Sequence, residues 1–194
     1  RLLLGEAVHL DLDRQAPGAG ERKIGGDHLV VAVAGVDRLL VDGTGDITHG
    51  LFYWDDAYPD SHLFADAEWL VRSKAPDFLL LHPMNVDDAG HKHGGDSVGY
   101  RNAARTQGDL LARHVPGWVE AGYTVIVTAD HGMGDDGNHA GPTPEETEVP
   151  FYTVGFRLER DQPLAQTEIA GLVCRLMDID PGQMPAFDGT VERL

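Results

Sequence analysis

Three short stretches of this chain combine imidazole and carboxylate groups in a way that could hold metal ions. They are Asp87-Asp88-Ala89-Gly90-His91-Lys92-His93-Gly94, Thr128-Ala129-Asp130-His131-Gly132-Met133 and Gly137-Asn138-His139-Ala140-Gly141. Imidazole nitrogen and carboxylate oxygen together suit Zn²⁺, or Mn²⁺ and related ions. Cys174 is the only cysteine, which leaves no intrachain disulfide and no thiolate zinc cluster. Any metal here must therefore be held by His and Asp. Glycines beside the candidate ligands permit tight turns and let a phosphate approach the backbone. Taken singly, each stretch is ordinary, because a loop histidine is usually solvated and Asp-Gly pairs are usually turns. Their weight comes from falling together at one edge of the fold.

The elements that must position them can be read from the pattern of apolar residues. Asp77 to Leu81 and Tyr123 to Thr128 are continuous apolar runs of the kind found in strands buried on both faces. A polar, His-rich loop (82–96) follows the first and a second polar loop (129–148) follows the other. Val149 to Val154 reads as a third strand, His28 to Val33 as a further one, and Asp37 to Asp42 as a short one. Ser61 is placed to cap a helix whose Leu63, Phe64, Ala67, Leu70 and Val71 share a face, with Ala75-Pro76 ending it. A second helix is expected from about Ser97 to His114, and Pro116 begins a short helical stretch that stops at Gly122. Thr167 should cap a last helix through Met177, with Ile169, Leu172, Val173 and Leu176 inward. Residues 1–27 and 180–194 read as irregular, and 43–60 as an ordered surface loop. Strand–helix–strand alternation with doubly buried strands predicts an α/β fold, a mostly parallel sheet with helices on both faces. Such sheets bind ligands at the carboxyl ends of their strands, where both polar loops lie.

Length and composition fit one soluble-type domain over residues 1–194, with 42% hydrophobic and 24% charged residues. No stretch approaches the ~20 apolar residues of a membrane span. The formal charge of −17 argues against nucleic-acid binding, which demands Lys and Arg. It also repels anionic substrates unless bound metal inverts the local field. The compartment is not fixed by the sequence, although the cytoplasm is favoured.

Asp-x-x-Gly-His after a buried strand, then Thr-Ala-Asp-His-Gly-Met, then Gly-x-His with Glu148-Val149-Pro150 behind it, resembles the alkaline-phosphatase superfamily. Within it, Asp87…His91 and Asp130-His131-Gly132-Met133 most resemble the type I phosphodiesterase/nucleotide pyrophosphatase branch. The resemblance spans about residues 60–180 and implies an alkaline-phosphatase-like fold. It also implies two divalent metal ions, zinc by preference and Mn²⁺ as the alternative. Asp87, His91 and His139 would bind one ion, and Asp130 and His131 the other. The implied activity is hydrolysis of a small-molecule phosphate ester or nucleotide, favouring phosphodiester or pyrophosphate bonds. The alternatives are a phosphomonoesterase, phosphonate hydrolase or phosphomutase of the same superfamily, or a catalytically inactive metal- or nucleotide-binding domain.

In the family, the second metal also takes an upstream Asp and a Thr or Ser nucleophile. Asp42-Gly43-Thr44 is the nearest equivalent here, but it lies close to the metal motif and no helix start follows it. It reads as a turn, so the nucleophile and one ligand are expected outside this chain, as in a truncated or degenerate relative, and the chain alone is expected to be inactive. Among the other residues, His82 and Asn85 are placed to orient ligands and His93 to sit at the surface. Cys174 should be plain packing. Phe52, Tyr53 and Trp54 could form a substrate platform or simply pack.

Overall fold

The computed structural model describes the backbone at residues 2–5, 29–34, 52 and 53, and whole residues at 48–51 and 58–194. Helices and strands are mixed along it, as an α/β chain requires. In order they are β1 (Leu2–Gly5), β2 (Leu29–Ala34), β3 (His49–Tyr53), α1 (Asp60–Lys74), β4 (Phe78–Leu81), α2 (Asn85–His93) and α3 (Val98–Glu120). There follow β5 (Thr124–Thr128), α4 (Pro144–Thr147), β6 (Phe151–Val154), β7 (Phe156–Glu159), α5 (Ile169–Met177) and β8 (Thr190–Arg193).

Six strands hydrogen-bond in the order β3-β2-β4-β1-β5-β6, and β7 and β8 form a separate antiparallel pair. β1 runs parallel to β4 and β5, with Leu4 opposite both Leu80 and Ile126. β2 runs parallel to β3 and β4. β6 closes the described sheet antiparallel to β5.

The side-chain alternation of a strand explains how two helical layers are held. Leu79, Leu81 and Val125 point into a core shared with Phe64, Leu70 and Trp118 of α1 and α3. Their neighbours Phe78, Leu80 and Ile126 point the other way, into a core shared with Ile169, Leu172 and Leu176 of α5. Phe64 stacks on Trp118 with ring centroids 5.8 Å apart, and Trp118 Nε1 donates to Glu68 Oε2 at 3.0 Å. The buried indole thus keeps its polar atom satisfied.

Several boundaries differ from expectation. Residues 2–5 are a strand rather than irregular chain and 49–53 a strand rather than surface loop, because each finds a parallel neighbour that a local reading cannot supply. The stretch 82–96 contains helix α2 rather than loop throughout, and Tyr123 precedes β5. α3 runs unbroken through Pro116, whose ring is accommodated on an exposed face. α1 starts at Asp60 after Pro59, not behind a Ser61 cap. Its first N–H is instead satisfied from a distance, Asp60 N donating to Asn85 Oδ1 at 3.0 Å. Thr167 lies within a 3₁₀ turn, Gln166–Glu168, ahead of α5, and Glu168 rather than Thr167 accepts from the Ala165 N–H at 2.9 Å. The tail forms β8, and β7 follows β6 after Gly155 at φ +91°. The expected strand at Asp37–Asp42 lies outside the described residues. No helix among the described residues is long and apolar enough to cross a membrane.

Candidate metal centre

Helix α2 carries Asp87 in its first turn and His91 in its last, four residues apart and so on one face. His91 Nε2 lies 3.4 Å from Asp87 Oδ2. Asp130 and His131 leave the end of β5 and face this pair across a half-open cleft bordered by His82, Met84 and Tyr100. His131 Nε2 stands 3.5 Å from Asp130 Oδ2 and 3.8 Å from Asp87 Oδ1. His139 arrives from the following loop and lays its ring on that of His131, with centroids 3.7 Å apart. Its ring is 5.0 Å from that of His91.

All five residues singled out in the sequence therefore meet at one place. Ligand atoms of Asp87, His131 and His139 lie within 4.8 Å of one another. This tight trio crosses the expected division into Asp87, His91, His139 on one side and Asp130, His131 on the other.

The backbone decides which ring nitrogens face inward as acceptors. His91 Nδ1 lies 2.7 Å from Gly137 O, and His131 Nδ1 lies 2.9 Å from Gly132 O. A carbonyl oxygen only accepts, so each Nδ1 carries the hydrogen and donates it. In the neutral form of each ring, Nε2 then turns a lone pair toward the carboxylates. Asp87 Oδ1 is buried and has no hydrogen-bond partner. Acceptors converging on acceptors, with a buried carboxylate oxygen unsatisfied, is a donor set that fits a divalent cation.

Loop geometry holds the histidines in place. Gly94 sits at φ +85°, and a Cβ there would run into the carbonyl oxygen of Asp135. Gly95 N donates to Gly134 O at 2.9 Å. The loop between His131 and His139 is thus packed against the end of α2 at positions where a side chain would not fit. On the other side the same loop is tied to α4. Gly132 N donates to Glu146 O at 2.8 Å and Met133 N to Glu145 O at 2.9 Å.

Sequence reading missed two contributors here. Glu146 is buried, and its carboxylate accepts from Gly141 N and Thr143 Oγ1 at 2.8 and 2.7 Å. These hydrogen bonds hold its carboxyl below the usual range, the Thr143 side chain first and the Gly141 N–H next. Thr143-Pro144-Glu145-Glu146 is a helix-start signature, with a Thr three residues before a Glu and Pro at the first position, and could have been found. Gln166 Nε2 donates to the carbonyls of Ala129 and Asp130. No local pattern announces that contact, which spans more than thirty residues.

The remaining candidates fall into place differently. Asn85 binds the start of α1, its Nδ2 donating to Tyr58 O at 2.9 Å. His82 borders the cleft. His93 is exposed and lies against Gly99. Cys174 is buried in α5, and burial pushes its thiol up. Asp42-Gly43-Thr44, Trp54 and the side chains of Phe52 and Tyr53 lie outside the described residues.

Residues 36–141, more than half of the chain, match the family model for type I phosphodiesterase / nucleotide pyrophosphatase. Curated proteins similar to the chain include three GPI ethanolamine phosphate transferases. One is GPI ethanolamine phosphate transferase 2 of Eremothecium gossypii, 28% identical over 134 residues, which is 69% of this chain and 16% of that protein. The enzyme of the same name from Kluyveromyces lactis is 30% identical over 86 residues, 44% of this chain and 11% of the relative. GPI ethanolamine phosphate transferase 1 of Mus musculus is 34% identical over 91 residues, 43% and 10%. The matched part of the chain thus spans well under a fifth of the length of each of these relatives. The chain belongs to the type I phosphodiesterase / nucleotide pyrophosphatase family, within the alkaline-phosphatase superfamily.

Proposed function

We propose that this family member supplies the metal-binding part of an enzyme that cleaves phosphate esters, favouring phosphodiester or pyrophosphate bonds, by hydrolysis. Asp87, His91, Asp130, His131 and His139 are the residues that would hold two divalent ions, preferably zinc. The observation that carries this reading is the convergence of acceptors, with His91 Nε2 and His131 Nε2 facing the Asp87 carboxylate at 3.4 and 3.8 Å. Divalent ions bound there supply positive charge for the phosphoryl oxygens, in a chain whose formal charge is −17.

The chain's own residues have distinct tasks in this reading. Gly137 O and Gly132 O fix the ring orientation of His91 and His131. Gln166 steadies the backbone of Asp130 through its carbonyl. The cleft beside His82, Met84 and Tyr100 is where the substrate would lie. We also propose that the complete domain is alkaline-phosphatase-like, a mostly parallel sheet with helices on both faces.

A second reading is favoured by the relatives, whose names describe phosphate transfer. In it the same site passes the phosphoryl group to an alcohol rather than to water. Product analysis decides between them. The full-length protein, loaded with Zn²⁺, is incubated with a nitrophenyl nucleotide with and without added alcohols. Hydrolysis gives only the nucleoside monophosphate, whereas transfer gives a new diester in proportion to the alcohol. Absence of any cleavage by zinc-loaded protein, across diester and pyrophosphate substrates, overturns both.

A further inference from the structure

Two histidines of the centre, His131 and His139, come from one continuous stretch of chain with a long irregular loop between them. Irregular loops fix side chains poorly unless their backbone groups are bound. A single residue binds the chain directly behind each histidine. Glu146 accepts through its main-chain carbonyl from Gly132 N, next to His131, at 2.8 Å. It accepts through its carboxylate from Gly141 N, two residues beyond His139, at 2.8 Å. Thr143 N and Thr143 Oγ1 reach the other carboxylate oxygen at 3.3 and 2.7 Å. The side chain is 8% exposed, and a Cβ on Gly141 would run into the carboxylate.

We infer that Glu146 is a positioning residue whose main chain and carboxylate together set the spacing of His131 and His139. It touches no ligand atom itself. Its effect is to bring the two loop ends to a fixed separation, so that the imidazoles stack at 3.7 Å and meet Asp87 as a preformed set. The charge matters because one carboxylate can serve two backbone N–H groups and a hydroxyl, and it remains acceptor-only. The neighbouring Glu145 is exposed, so it serves as the internal control. The inference rests on the metal reading for its consequence, but not for its geometry.

Two measurements on the full-length protein separate these. Amide hydrogen exchange of the metal-free protein reports the clamp alone. Gly141 and Thr143 N–H groups are expected to be protected in the parent and Glu145→Ala, and to exchange at least tenfold faster in Glu146→Ala. Zn²⁺ titration reports the consequence. Glu146→Ala is expected to bind about tenfold or more weakly, as removal of supporting partners around a metal typically does. Glu146→Gln, which keeps an acceptor toward Gly141, is expected to recover most of the loss, and Glu145→Ala to match the parent. Should Glu146→Ala fail to fold, Thr143→Ala removes only the hydroxyl contact and is expected to show smaller changes in the same direction. Parent-like zinc affinity in a folded Glu146→Ala protein, or unprotected amides in the parent, overturns the inference. A parent that takes up no zinc while its Gly141 amide is protected by Glu146 overturns the metal reading and leaves the clamp standing.

Discussion

The imidazole rings of His131 and His139 stack nearly parallel, their planes 9° apart and their centroids 3.7 Å apart. Seven residues of chain lie between them in sequence. His131 Nδ1 points away, at Gly132 O, which leaves its Nε2 toward Asp87 and Asp130. The stack therefore couples the two ends of the loop between them. Losing either ring changes what the other rests on.

Asp87 is the residue on which the cluster converges, since one oxygen faces His91 and the other His131. Asp87→Ala is expected to leave the metal-free protein within about 1 kcal/mol of the parent, because the position is only half-buried and on α2's first turn. Its response to zinc should change instead. At free zinc 100 times Kd the parent gains about 2.7 kcal/mol of stability, and the variant should gain little. Thermal melts with and without Zn²⁺ measure both quantities. Equal zinc-induced shifts in the two proteins would remove Asp87 from the site.

Activity makes a second demand on the same residues. His139→Ala and Asp130→Ala are each expected to lower cleavage of a nitrophenyl nucleotide by the full-length protein at least 100-fold, an effect of about 3 kcal/mol on the barrier. Far-UV circular dichroism should be unchanged, since both positions lie in loops beyond the strands. Parent-like turnover in either variant contradicts the proposed ligand set.

How much of this was legible in the sequence depends on the range of the interactions. Leu63, Phe64, Ala67, Leu70 and Val71 announced α1 by their period and are all buried. Phe78 to Leu81 announced a strand buried on both faces, and is one. The five candidate ligands could be named because the stretches that carry them, Asp87…His91, Asp130-His131-Gly132-Met133 and Gly137-Asn138-His139, resemble family motifs. β1 was not legible, because Leu2–Gly5 is four residues long and is a strand only through β4 and β5, encountered far later in the chain. The cap of α1 was misread for the same reason, its partner Asn85 being 25 residues away. Helix α2 was read as loop because its apolar content is too low to show a period, although Asp87 and His91 at i and i+4 already fit one face.

Pro116 offers a test of stability alone. It lies inside α3, exposed to solvent, and supplies no N–H to the helix. Pro116→Ala is expected to stabilise the protein by about 1–3 kcal/mol, the helix-interior cost of Pro less its entropic benefit in the unfolded chain. Urea denaturation monitored by circular dichroism reads the change. A loss of stability would show that α3 needs a bend at this point to seat Trp118.

The last prediction concerns a carboxyl that the fold buries beneath the loop leading to α2. Asp60 is 6% exposed, and its Oδ1 accepts from Met84 N and Asn85 N at 3.2 and 3.4 Å. Burial pushes the carboxyl up from 3.8 to about 6, against the opposing pull of the Asn85 and Met84 N–H groups. The direction of the pH effect follows. Between 3.8 and about 6 the folded chain holds a proton at Asp60 that the unfolded chain has released, so this residue's contribution to stability falls as pH rises through that window. Above it the cost of the buried charge is present in full. Asp60→Asn removes the charge and keeps an oxygen to accept both N–H groups. It should be more stable than the parent above about pH 6, and the advantage should shrink to nothing as pH drops below 3.8. Other titrating groups are common to both proteins and cancel in the difference. Asp60→Ala is the counterpart, since it also removes the charge but leaves the two N–H groups unsatisfied, and it should be less stable than Asp60→Asn by about 1–3 kcal/mol at every pH. Chemical denaturation of the three proteins across this pH range decides the matter. An Asn variant whose advantage grows as pH falls would mean that Asp60 is held charged, with the loop stabilised by the ion rather than strained by it.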